Sequence, residues 1–114
     1  MFIPKFVSFT IPAGKSLQLS CVEGQIISIT QISMNSSSLQ PNERTVVWST
    51  APSEEDKIGR KIAIASLIPE NDVAQVNFAF NSFSPITFST SGTKIDITLS
   101  GYSNIMYEPK TEIV

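Results

Sequence analysis

The 114 residues contain no histidine and one cysteine, Cys21. Without imidazole the commonest general base and metal ligand is missing, which excludes a His-ligated metal centre of the kind found in small β-sandwich enzymes. A Cys–His nucleophile pair is excluded for the same reason. A single cysteine cannot close an intrachain disulfide, which points to a reducing compartment, and Cys21 is expected as a small buried apolar residue. No run approaches the ~18 apolar residues that a membrane span needs, so no membrane partner is expected. The apolar start "MFIPKFVSF" has no sustained apolar stretch behind it and does not read as a signal peptide. Basic clusters are also missing. Eight basic and ten acidic residues give a formal net charge of −2, which argues against direct nucleic-acid binding. "AGKS" at 13–16 lacks the upstream glycine of a phosphate-cradling loop and reads as a turn. The glycosylation-type pattern "NSS" at 35–37 carries no weight without secretion. No catalytic set, no metal site and no cofactor follow from these residues, and an enzyme is not expected.

Helical spacing of apolar residues is nearly absent; short alternating runs separated by turn residues take its place. They predict eight strands, at 2–10, 16–21, 25–34, 44–50, 60–67, 72–80, 85–91 and 94–101. Eight short strands at this spacing indicate an all-β sandwich or barrel, and the length suits one domain. That domain is placed at 1–105, with 106–114 a tail of no clear pattern, where Pro109 disfavours a central strand. Turns are marked by "PAGK", "VEG", "IPEN" and "SGTK", the last read as a tight hairpin with Gly92 at positive φ. Two longer connectors, "NSSSLQPNE" (35–43) and "APSEEDKIG" (51–59), read as exposed loops.

Alternation sorts the strands. In 94–101 and 72–80 one face is apolar, with Val76, Phe78 and Phe80 opposed to Gln75, Asn77 and Ala79. In 25–34 both faces are apolar: Ile26, Ile32 and Met34 oppose Ile27 and Ile29. The first strand likewise sets Phe2 and Phe6 against Val7, Phe9 and Ile11. A sandwich buries one face of each strand, so the surplus needs a loop, a terminus or another subunit. Phe9, Ile26, Ile27, Ile29 and Ile32 are therefore candidates for core or subunit interface. Phe78, Phe80, Phe88 and Trp48 read as core. Glu54, Glu55 and Asp56 form the acidic cluster, which reads as a solvated turn unless several copies bring it together.

Four segments, in order, resemble nucleoplasmin-like domains. "FVSFTIPAGKSLQL" (6–19) is similar to their opening strand and turn, with Gly14 and Lys15. "EGQIISITQISM" (23–34) resembles their second long strand. "KIAIASLIPENDVAQVNFAF" (61–80) resembles their Leu-x-Pro hairpin, with Leu67, Pro69 and Phe80. "ITFSTSGTKIDITLSGY" (86–102) resembles their closing hairpin, with Gly92 and the ending Leu99-Ser100-Gly101-Tyr102. The resemblance is nearest in kind to the N-terminal domains of nuclear FKBP-type prolyl isomerases and of plant histone-deacetylase-like nucleolar proteins. It implies an eight-stranded jelly roll that assembles as a ring pentamer and chaperones core histones through acidic loops, in the nucleus or nucleolus. The chain departs from that pattern at Phe6-Val7-Ser8, where an aromatic-Trp-Gly sequence is common. Its early loop holds only Glu43, and the 114 residues include no long acidic tract.

The first functional expectation is thus a homopentameric histone-binding domain in which Glu54, Glu55 and Asp56 contact the histones. A pure multimerisation scaffold for an attached prolyl isomerase is the second. A monomeric ligand-binding sandwich is the third, and it would need exposed aromatics.

Overall fold

The computed structural model describes residues 5–34, 43–51, 60–80, 86–104 and 109–114. Nine strands occur among them: β1 (Lys5–Ile11), β2 (Leu17–Ser20), β3 (Ile27–Met34), β4 (Thr45–Ala51), β5 (Arg60–Leu67), β6 (Val73–Phe80), β7 (Ile86–Gly92), β8 (Ile97–Ser103) and β9 (Lys110–Ile113). The described residues contain no helix. The eight expected strands are present. The ninth lies in the tail and pairs with β2 as an edge strand, Leu17 opposite Ile113, so Pro109 is spared a place inside a sheet.

The strands form two antiparallel sheets, of order β1-β8-β3-β6 and β5-β4-β7-β2-β9. Pairs 4–5, 3–6, 2–7 and 1–8 nest outward from the β4–β5 hairpin, which is the jelly-roll pattern. The chain therefore changes sheet at nearly every connection. The "SGTK" turn, read from the sequence as a tight hairpin, joins strands of different sheets, and so does the "IPEN" turn, which a bridge between Ile68 and Asn71 closes. Gly92 does take positive φ (92°), as expected. Beyond it, Thr93 N donates to the Arg44 carbonyl at 3.0 Å and the Asp96 carboxylate accepts from Ala13 N at 2.8 Å. Those contacts hold the chain on its way to the other sheet.

The inner faces meet in one core. Val7, Phe9 and Ile11 come from β1, Leu17 and Leu19 from β2, and Ile97 and Leu99 from β8, each at alternate positions. Phe88, fully buried, lies 6.1 Å from both Phe78 and Phe80, and those two rings are 5.9 Å apart. Such rings gain edge and tilted contact beyond their burial. Cys21 is buried beside the Phe80 carbonyl, as its composition suggested. The buried Gln25 is satisfied at both ends: Nε2 donates to Ser103 Oγ and Oε1 accepts from Val22 N, each at 3.0 Å. Among the described residues no buried side-chain nitrogen or oxygen lacks a partner.

Two bulges reverse the parity of alternation. In β3 the register against β8 slips at Thr30, so Ile27 and Ile29 face the core on one side of the slip and Ile32 and Met34 on the other. The apparent second apolar face of this strand is an extra residue. Thr30 itself is exposed and its hydroxyl donates to the Ser100 carbonyl at 3.4 Å. In β5 the slip falls at Ile64, so Ile62 pairs with Ser49 and Ala65 with Val47, both on the core side.

Candidate functional site

The residues singled out from the sequence separate clearly. Phe9, Ile27, Ile29 and Ile32 are core. Ile26 is 45% exposed and sits outside the four-stranded sheet, where its N–H donates to the Asn104 side chain at 2.7 Å. Glu54, Glu55 and Asp56 lie outside the described residues; they connect β4 to β5, whose ends pair at Ala51 and Arg60.

The signature residues have local roles. Gly14 and Lys15 form the turn after β1, where Lys15 N donates to the Pro12 carbonyl at 3.0 Å. Leu67 is buried at the end of β5, and Pro69 lies in the turn closed by Ile68 and Asn71. Phe80 ends β6 in the aromatic cluster. Along β8, Leu99 points into the core, Ser100 gives its carbonyl to Thr30, and Tyr102 points outward. Gly101 lies where β3 approaches at its bulge, and a Cβ there would overlap the Ser28 carbonyl oxygen.

Three surfaces could carry function. The outer face of the four-stranded sheet is rich in Ser, Thr, Gln and Asn. At one end Phe6 (62% exposed) meets Tyr102 edge-on, with centroids 6.1 Å apart. On the outer face of the other sheet lies Trp48, expected in the core but half-buried outside it. Val47 takes the core side, so Val46 and Trp48 face outward. Trp48 Nε1 donates to Ser91 Oγ at 2.8 Å, and Lys61 Nζ stands 5.1 Å from its ring.

The third surface is the pair of flanks where the sandwich opens. On one side the edge strands β5 and β6 face each other across the gap, Leu67 buried at one end and Ile62 61% exposed at the other. Ile64, Val76 and Phe78 are half-buried along it. On the opposite side β1 faces β2 and the overhanging β9. A cleft of about 400 Å³ opens there, with Phe9 and Leu17 among its walls and Thr111, Glu112 and Ile113 at its β9 side. Ile113 lies opposite the buried Leu17, on the core-facing side of β9, yet is 55% exposed. Each flank thus leaves uncovered an isoleucine that points the way core residues do. Sequence reasoning missed both, because exposure here depends on which strands become edges.

Among the described residues no three His, Cys, Asp or Glu side chains cluster to hold a metal, and no helix is long and apolar enough to cross a membrane.

The model of one protein family, the nucleoplasmin-like domain, matches residues 6–104. The fold is similar to that of Drosophila NLP-core, with a TM-score of 0.70 and 24% identity over 86% of this chain and 96% of that one. That structure is described as giving insight into pentamer formation and histone binding. The nucleoplasmin-like N-terminal domain of Drosophila FKBP39 matches at a TM-score of 0.64 and 12% identity, over 92% of this chain and 93% of that one. No curated protein sequence matches significantly.

Proposed function

The chain belongs to the nucleoplasmin-like domain family, and from that premise we propose that it is a ring-forming, histone-binding domain. Five copies assemble through their open flanks, and the acidic β4–β5 connections, with Glu54, Glu55 and Asp56, pair with Lys and Arg of core histones. The observation that carries this reading is the family match over 6–104 in a chain that leaves Ile62 and Ile113 exposed on its two opposite flanks. Pentamer formation and histone binding described for Drosophila NLP-core support it. The mechanism is passive: carboxylates compete with DNA phosphate for basic side chains, and no covalent step is involved. A nuclear location, and within it a nucleolar one, goes with this role.

The formal charge of −2 favours a second reading. In that reading the ring is a scaffold that multimerises an attached domain, such as a prolyl isomerase, and does not itself hold histones.

Light scattering on a sizing column tests the assembly first. A mass near five times the 12.5 kDa chain, held from low to high salt, is expected of an apolar interface. A monomer at both salts removes the ring and the histone collar with it.

A further inference from the structure

We infer that the outer face of the five-stranded sheet, around Trp48, is a docking surface for an extended acidic peptide. This goes beyond the histone reading: the partner has the opposite charge, and the surface is an outer face rather than either flank.

Three observations carry it. The first is the tryptophan. Its indole stands outside the core with Ala63 opposite it on β5 and Ser89 opposite it on β7. Neighbours that small leave the ring open, yet it is held in place. Nε1 donates to Ser91 Oγ at 2.8 Å, and Lys61 Nζ lies 5.1 Å from the ring centroid. A tethered tryptophan that is half-buried on an outer face offers contact area to a partner at little further cost in side-chain entropy.

Charge is the second. The chain has a formal net charge of −2, but β4, β5 and β7 contain no acidic residue. Lys61 and Arg44 are both exposed on this side, and Arg44 Nη1 donates to Ser66 Oγ. Neither cation has a carboxylate partner among the described residues. Glu43, next to Arg44 in the chain, takes part in another interaction. An acidic protein thus shows a local basic face centred on an aromatic ring.

The third is spacing. Lys61 lies opposite Thr50, so Arg44 and Lys61 are six steps of β4 apart, with Trp48 between them. At ~3.3 Å per residue the cations are separated by about 20 Å. An extended peptide turns every second side chain to the same side, so acids six positions apart meet both cations and an apolar residue between them meets Trp48. A nucleic acid fits less well. It presents a phosphate every ~3.4 Å along each strand and calls for a denser row of cations than two.

Trp48 is the only tryptophan, so its emission reports on the site directly. The probe is a heptapeptide with Glu at its first and seventh positions, Leu at its third and fifth, and Ser elsewhere. At low salt it should shift the emission saturably within the millimolar range, whereas the same peptide with Lys for both Glu should not. Lys61→Glu and Arg44→Glu should each weaken binding roughly three- to tenfold, read independently by anisotropy of a fluorescein-tagged peptide. Unchanged binding in both variants overturns the proposal. So does an emission shift with the Lys peptide, or with oligothymidylate but not the acidic peptide. No shift with any probe also overturns it and leaves Lys61 and Trp48 as surface packing. The titration reads the same in a monomer or a ring, so its failure is separable from that of the assembly.

Discussion

At Gly101 the backbones of β8 and β3 come so close that a methyl group would overlap the Ser28 carbonyl oxygen. The neighbouring atoms are backbone in a paired strand and cannot swing aside. Gly101→Ala is therefore expected to destabilise the fold by about 1–3 kcal/mol or more, read as a lower urea midpoint at unchanged slope. Gly92 is fixed twice over, by its φ of 92° and by the Arg44 carbonyl that a Cβ would strike. Both glycines in the "SGTK…LSGY" signature thus have steric causes in the fold, independent of any ligand. Aromatics divide by position in the same way. Phe88 is fully buried between Phe78 and Phe80, so Phe88→Ala should cost about 3–5 kcal/mol. Phe6 packs edge-on against Tyr102 at the surface, and Phe6→Ala should shift stability by about 0.5 kcal/mol or less. Equal losses in the two thermal melts would contradict this division.

Among the elements, strands with one polar face were readable from alternation alone. The inward set Val76, Phe78 and Phe80 lies where that pattern puts it. Alternation failed where a residue is inserted. Thr30 in β3 looks like any other strand threonine, and only the pairing of Ile29 with Gly101 and Gln31 with Ser100 reveals the slip. The same local blindness hid Trp48. Val46, Val47 and Trp48 are all apolar, so parity was undetermined until Val47 met the core. Strand β9 was missed because Lys-Thr-Glu-Ile offers one apolar residue, and its pairing with β2 spans 90 to 96 positions. The flanks were illegible for a related reason: strand order is set by long-range pairing. A chain ending at residue 108 tests what β9 contributes. It loses the ladder to β2, including Val114 N to the Ser16 carbonyl at 2.9 Å, and uncovers Leu17. Stability should fall by about 1–3 kcal/mol from lost hydrogen bonds and burial. With assembly through the open flanks, the truncated chain should also run as a monomer while still giving a β-type circular dichroism spectrum. Retention of the full oligomeric mass would show that β9 is not part of the contact.

For the whole molecule, the question is how a weakly charged domain could hold strongly basic histones. One copy carries a formal −2, and five carry −10. That is small against a histone octamer unless the carboxylates are concentrated. In the proposed ring the Glu54-Glu55-Asp56 segment would repeat around an axis, so that a histone surface would engage several segments at once. The two sheets' outer faces do little to help, since they present mainly Ser, Thr, Gln and Asn. Affinity resting on exposed charges is screened over about 8–10 Å near physiological ionic strength. Histone binding is therefore expected to weaken by on the order of tenfold or more from low to high salt. The apolar flank contacts, and with them the ring mass, should change little over the same range. The triple variant Glu54→Lys, Glu55→Lys, Asp56→Lys turns each copy from −2 to +4 and leaves every residue named on the two flanks unchanged. It should keep the ring mass and lose histone binding in a salt titration followed by fluorescence anisotropy. If it keeps both, the acidic connection is solvated surface and the ring serves as a scaffold. If the mass falls as well, the β4–β5 connection belongs to the subunit contact, and the flank carrying Ile62 extends further than its described residues.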